Sequence, residues 1–296
     1  MECPAVFPMF FNDLLGDYPP AARLFGKIDP MLIILALAMG VLVGSFINVA
    51  VDRLPKELSI VRPRSYCGSC NRSLANFYMV PVFSYVWLRG RCRYCKAAIP
   101  LRVFLTEIAT GVLFVILSLI YGFGLGFFIV SVMASLMLIA ALIDLEHGLI
   151  LNRVTYPAIL VLLLLAPFWP ELGISREFLG TAGLLGSLFN SLVAGFGAFL
   201  IFLIIFFVYS QGMGGGDPKL AGVIGLLVGY PGVLVALSIA VVSAGILSIF
   251  LLAFGKKGRN DAIPFGPFLA AGAIITFVAG NEMIARFSGI AAYLMG

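Results

Sequence analysis

The chain carries its apolar residues in long uninterrupted blocks, and this feature narrows the folds open to it more than any other. Met31 to Val51 and Ser187 to Ser210 each run without a single charged residue. Blocks of roughly 18 or more apolar residues can cross a bilayer as helices. They are apolar on every side, so they do not read as the amphipathic helices of a water-soluble core. In lipid an unpaired backbone is too costly to expose, which leaves helices or closed barrels. Blocks of this length select helices, and the expected fold class is an all-α polytopic membrane protein. Composition agrees: 61% of residues are hydrophobic and 11% charged, against about 25% charged in soluble domains.

Eight apolar segments are expected: Met31 to Val51, Val103 to Tyr121, Leu125 to Ile143, Val154 to Trp169, Ser187 to Ser210, Leu220 to Gly229, Pro231 to Gly255 and Pro264 to Gly280. They imply four regions. Residues 1–30 form an extracytoplasmic tail, 31–51 the first transmembrane helix, 52–102 a polar cytoplasmic loop domain, and 103–296 a transmembrane core. The tail sets Glu2, Asp13, Asp17 and Asp29 against Arg23 and Lys27. It lacks the basic start and short apolar stretch of a cleaved signal peptide, so the first helix is expected to direct insertion. No internal repeat stands out.

Charge fixes the expected orientation. With the N-terminus outside and eight spans threaded, fifteen Lys/Arg fall inside and four outside. Positive residues favour the cytoplasmic side. The net charge of +5 is therefore a topology signal, and no nucleic-acid partner is needed to explain it. Anionic lipid of the inner leaflet would favour the loop, which holds ten Lys/Arg and two acids between Asp52 and Arg102.

That loop also holds two C-x2-C pairs, Cys67 with Cys70 and Cys92 with Cys95, twenty-one residues apart. Each pair can turn two thiolates toward one centre, and two pairs complete a tetrahedral four-sulfur site suited to zinc. Such a closed site is structural and staples a segment too short to build its own core. Disulfides and unligated thiols are the alternatives, the disulfides being disfavoured in a reducing cytoplasm. Cys3 stands apart, with no partner evident in the sequence.

The chain has fourteen acids, so their placement is informative. Asp144 ends the third apolar segment, and Asp217 closes the glycine run Gly212 to Gly216 after the fifth. The expected topology puts both at one depth on the cytoplasmic side. Two facing carboxylates share a proton; one then acts as base on a water while its protonated partner polarises a carbonyl. Gly214 and Gly216 are expected to permit positive φ and close approach of an extended substrate. Glu107 lies inside the second segment and needs a partner, for which Lys219 is a candidate; Lys219 is alternatively placed to tune the aspartates. His147, the only histidine, and Glu146 are expected to be interfacial. The glycine run lacks the P-loop pattern.

Several ordered elements resemble the type IV prepilin peptidase family, the GxGD-type leader peptidase/N-methyltransferases. They are Gly44-Ser45-Phe46-Ile47-Asn48-Val49 with Arg53-Leu54-Pro55, Leu88-Arg89-Gly90-Arg91-Cys92-Arg93, Glu107, Ile143-Asp144, the run from Gly212 to Leu220, and Pro264-Phe265-Gly266-Pro267. The resemblance implies a bacterial inner-membrane endopeptidase that removes leaders from prepilins and pseudopilins of type IV pili and type II secretion. It implies catalysis by Asp144 and Asp217 and a zinc-binding loop domain. It further implies N-methylation of the new N-terminus with S-adenosylmethionine. Two departures stand out. The first knuckle reads Cys-Gly-Ser-Cys where Cys-Pro-x-Cys is usual, and Ile150-Leu151-Asn152 replaces a Leu-Pro-Asp segment. Two rival classes make different predictions. A transporter would place its carboxylates near the bilayer midplane. A non-catalytic zinc-stapled assembly factor would tolerate alanine at Asp144 or Asp217.

Overall fold

The computed structural model describes residues 29–170, 176, 183–208, 214–255 and 263–279. The expectations for the N-terminal tail with Cys3, the start of the glycine run, the basic hinge at Lys256 to Asp261 and the chain beyond 279 fall outside these residues. Nine helices follow one another among those described. They are α1 (Pro30–Arg53), α2 (Phe83–Trp87), α3 (Leu101–Tyr121), α4 (Leu125–His147), α5 (Asn152–Leu165), α6 (Gly183–Val208), α7 (Asp217–Val228), α8 (Gly232–Ala253) and α9 (Gly266–Ala279). β structure among the described residues is confined to two isolated bridges, Tyr66 with Ser73 and Arg91 with Ala98.

All eight expected apolar segments are helical. Five of the helices, α1, α3, α4, α6 and α8, are long and apolar enough to cross a membrane. The other three are shorter. The segment expected at Leu220 to Gly229 is the 12-residue helix α7, about 18 Å long, against the ~30 Å of a hydrocarbon core. It is apolar nearly all round, and ten of its residues from Asp217 to Leu227 are buried. It packs against α5, α6 and α8, so protein rather than lipid surrounds it.

Small residues bring the helices together. A Cβ on Gly44 of α1 would stand 2.7 Å from the Cα of Glu107, and one on Gly40 2.7 Å from the Thr110 carbonyl. The Gly40-x3-Gly44 face therefore presses backbone against α3, the close approach small residues allow between membrane helices. Gly225 of α7 meets the Ala194 backbone of α6 in the same way. The largest core cluster gathers Leu162, Trp169, Leu220, Ile224, Leu227 and Leu269. Outward faces carry Phe196, Ile204, Phe207, Ile246 and Ile249, all exposed. An apolar exterior of this extent suits lipid contact.

Both ends of α7 are pinned. Its last turn is held by Arg176, whose guanidinium donates to the carbonyls of Leu226 and Leu227 and to Ser191 Oγ. The same group lies 4.4 Å from the centroid of the Trp169 ring. A cation at a helix C-terminus satisfies carbonyls that have no partner within the helix. The sequence counted Arg176 only as an outside charge; the structure makes it a buried cap. The opposite end of α7 carries Asp217.

Candidate active site

Asp144 lies in the last turn of α4. The helix stops three residues later because Gly148 takes a left-handed conformation, φ 64°, and donates its N–H to the Asp144 carbonyl, a common helix stop. The Asp144 side chain is 6% exposed. Its Oδ2 accepts the N–H of Gly266, the first residue of α9, at 2.8 Å. The carboxylate thus meets the positive end of a helix dipole. Only glycine fits there, because a Cβ on Gly266 would stand 2.7 Å from Asp144 Oδ2. The Pro264-Phe265-Gly266-Pro267 motif, quoted without a role from sequence, seats this aspartate.

Asp217 opens α7, with Pro218 behind it in the first turn. It is 4% exposed, and its Oδ2 accepts the N–H of Gly214 at 2.9 Å. Asp217 lies within electrostatic reach of Asp144. Seventy-three positions apart in the chain, they converge in one buried place.

The glycines of the turn act differently from the sequence expectation. Gly216 has φ −85°, a conformation any residue adopts, and Gly214 is not among the positive-φ residues. The constraint at Gly216 is steric, since a Cβ would stand 2.5 Å from Cβ of Ile150. Ile150, in the short link between α4 and α5, thereby presses against the turn that carries Asp217.

Lys219 bonds to α5 rather than to Glu107. Its Nζ donates to Asn152 Oδ1 at 2.8 Å and stands 5.6 Å from the Tyr156 ring centroid, tying the first turn of α7 to that of α5. Glu107 is paired instead with the Val82 N–H, at 2.6 Å. Its partner comes from the loop. Glu146 accepts from Arg102 at 2.7 Å, and Arg102 also reaches Asp52 at 2.7 Å. His147 is exposed. Arg153 faces Glu57 at 3.4 Å on the surface.

The four loop cysteines form a second constellation. Their Sγ atoms all lie within 4.8 Å of one another, and Cys67 Sγ stands 3.7 Å from Cys95 Sγ. A tetrahedral site with metal–sulfur bonds of ~2.3 Å has sulfur–sulfur edges of ~3.8 Å, so the set fits a metal ion. The backbone N–H groups of Cys70 and Ser69 pull the Cys67 thiol down to about 6, while burial and the neighbouring sulfurs push Cys95 up to about 11, the split expected of thiols crowded around one point with no cation between them. The two knuckles are also copies of one another. Cys67 donates to Arg72 O, Asn71 to Cys67 O and Leu74 to Ser65 O; Cys92 donates to Ala97 O, Lys96 to Cys92 O and Ile99 to Gly90 O. Asn71 and Lys96 hold matching positive φ angles of 53° and 61°. This short repeat escaped the sequence because only the cysteines are shared between its copies.

Comparison with known proteins joins the two constellations. The family model for the bacterial peptidase A24 N-terminal domain matches residues 38–121, and that for the type IV leader peptidase family matches residues 131–249. The first contains all four cysteines and the second both aspartates. A prepilin leader peptidase/N-methyltransferase of Bacillus subtilis (strain 168) is 30% identical over 84% of this chain and 94% of its own length. Proteins of the same description from Burkholderia pseudomallei (strain K96243) and Myxococcus xanthus (strain DK1622) are 28% and 31% identical. They align over 94% and 79% of this chain and over 97% and 67% of their own lengths. No solved structure matches. The chain belongs to the type IV leader peptidase family, and it is a peptidase of that family.

Proposed function

We propose that the chain removes leader peptides from prepilins or pseudopilins at the cytoplasmic face of a bacterial inner membrane, using Asp144 and Asp217. The observation that carries this reading is the convergence of two buried carboxylates, each held by one glycine N–H and each set at the start of a helix. In the proposed step the pair holds one proton. The ionised carboxylate takes a proton from water, whose oxygen bonds to the scissile carbonyl carbon. The protonated partner hydrogen-bonds the carbonyl oxygen, and a carboxyl proton passes to the nitrogen as the carbon–nitrogen bond breaks. Gly266 and Gly214 fix the two side chains throughout.

Residues 52–102 form the proposed zinc domain, with Cys67, Cys70, Cys92 and Cys95 as thiolate ligands to one structural ion. Residues 103–296 form the catalytic core, whose seven apolar segments complete an eight-span arrangement with the first helix, the N-terminus outside. The relatives named above are also described as N-methyltransferases, and we extend that activity to this chain, with S-adenosylmethionine as methyl donor. The test is incubation of the purified protein with a prepilin-like peptide, followed by mass spectrometry. Loss of the leader supports the peptidase reading, and a further gain of one methyl group supports the transferase. An intact leader under conditions where the protein is folded would refute the first.

A further inference from the structure

Residues 77–87 of the loop turn an apolar surface outward. Phe77, Val80, Phe83, Val86 and Trp87 are all exposed, Trp87 by 67%. Phe83, Val86 and Trp87 follow at i, i+3 and i+4 and so share one face of α2. On that face the Phe83 and Trp87 rings stack at 5.9 Å, and Phe77 meets Phe83 edge-on at 6.4 Å. A contiguous apolar patch of this kind marks an interaction surface. The opposite side of α2 is fixed to the bundle. Tyr85 stacks on Phe104 of α3 at 4.9 Å, and Val82, just before α2, donates its N–H to Glu107 of α3.

These two contacts set the depth of the aromatic face. Phe104 and Glu107 are the fourth and seventh residues of α3, a helix long and apolar enough to span a membrane. At 1.5 Å per residue, the anchor lies within about 9 Å of the helix start. Leu105 and Ile108, at the same level, are exposed on the outside of the bundle. This is the headgroup layer of a bilayer, where Trp and Tyr gather. Beyond α2 the chain carries Arg89, Arg91, Arg93 and Lys96, which with Tyr78 and Trp87 border an open cleft of about 700 Å³. All four cations are exposed, and none joins an ion pair among the described residues. The sequence explains why, since no Asp or Glu occurs from Leu58 to Thr106. Cys92 stands between Arg91 and Arg93, so the second cysteine knuckle sets the spacing of the charges.

We propose that this surface docks on the adjoining membrane leaflet, and that the cleft takes the phosphate headgroup of an anionic phospholipid while Phe83, Val86 and Trp87 enter the lipid beside it. Guanidinium groups match phosphate oxygens in charge and geometry. Long cationic side chains lie along apolar surface and keep their charged heads at the interface. Neither half of the surface explains itself without the other. An acidic protein would answer the four cations but not the aromatic rings held at headgroup depth, and an apolar partner would leave the cations unpaired. An anionic lipid answers both, as it does for interfacial helices that combine an aromatic face with basic residues. The loop is then held at three places, by α1, by α3 and by lipid. The inference is independent of the chemistry proposed at the aspartates.

The experiment places the full-length, metal-loaded protein in nanodiscs, one chain to a disc, made of equal parts phosphatidylcholine and phosphatidylglycerol. The acyl chains of one lipid or the other are brominated near the headgroup, so that only the position of the quencher changes. Trp87 emission is the difference between the unaltered chain and Trp87→Leu, because the only other tryptophan, Trp169, is fully buried. Bromine on phosphatidylglycerol should quench Trp87 about twofold more than bromine on phosphatidylcholine. Arg89→Gln, Arg91→Gln, Arg93→Gln and Lys96→Gln combined should equalise the two lipids, with metal content and thermal unfolding unchanged. Should that variant fail to fold, phosphatidylglycerol with a photoreactive headgroup is cross-linked to the unaltered chain. Label in peptides covering residues 77–96 supports the proposal, and label confined to other segments overturns it. Quenching by neither lipid overturns it, the face then being open to water or covered by protein. Equal quenching by both lipids in the unaltered chain also overturns it, as does loss of the preference when inorganic phosphate is added in excess, which would identify a site for free anions.

Discussion

The aspartate site and the cysteine loop solve the same problem, holding a few side chains in a fixed geometry, by opposite means. The aspartates sit where α4, α7 and α9 meet and are buried by helix packing, with glycines at 216 and 266 so close to their neighbours that no side chain fits. The loop has little core of its own. Leu58, Val61, Phe77, Phe83, Val86 and Trp87 are exposed, and Cys92 is its one deeply buried hydrophobic position. Its geometry depends on two copied turns and four sulfurs. One region borrows rigidity from the whole bundle; the other needs a local staple. The two should therefore fail independently.

Removal of the metal is the strongest way to pull them apart. Structural zinc contributes about 10 kcal/mol or more to small domains of this kind. Chelation, or Cys67→Ser with Cys92→Ser, should open the loop to proteolysis between residues 52 and 100. The main thermal transition of the helical bundle should remain. Elemental analysis of the untreated protein should give one zinc per chain. Loss of the bundle's transition on chelation would show that the regions are not separate.

The converse change comes next. Asp144→Asn or Asp217→Asn should reduce leader cleavage about a thousandfold, within the range for removal of a general acid or base, and leave zinc content unchanged. Mass spectrometry of a prepilin-like peptide over time gives the rate. Arg176→Met removes the cap of α7 and leaves the last carbonyls unsatisfied, at a cost of about 3 kcal/mol. Thermal unfolding should register it in the bundle, with no change in proteolysis of the loop. Gly266→Ala pushes a methyl group against Asp144 and should slow cleavage about tenfold, an effect of ~1.4 kcal/mol. Arg102→Ala should be the smallest, about 1 kcal/mol or less by thermal unfolding, because exposed ion pairs contribute little. With the more exposed Arg153–Glu57 pair it is one of two described ion-pair links between the regions, so a larger loss would mean they are coupled more tightly than their packing implies.

The two regions also differed in how far the sequence revealed them. The cysteine spacing is local, and two C-x2-C turns can be recognised without knowing the fold. Asp144 and Asp217 were picked out because charges are scarce among apolar blocks. The eight helices were legible for the same reason, from block length alone. What the sequence hid is the set of contacts made across long separations. Gly266 holds Asp144 from 122 positions away, Glu107 is satisfied by the backbone of Val82, and Lys219 turns to Asn152. Hydrophobicity alone did not show that α7 is shorter than the other segments and enclosed by protein, because a helix buried in protein and one immersed in lipid have similar composition.

The central claim is that the two aspartates work as one device, and it is tested most directly by combining Asp144→Asn with Asp217→Asn and measuring leader cleavage against each single change. Groups that act as a unit are strongly non-additive. The doubly altered chain should be no slower than the worse of the two singles. If the losses multiply, or if either single variant cleaves at the unaltered rate, the carboxylates do not share the chemistry and the account fails.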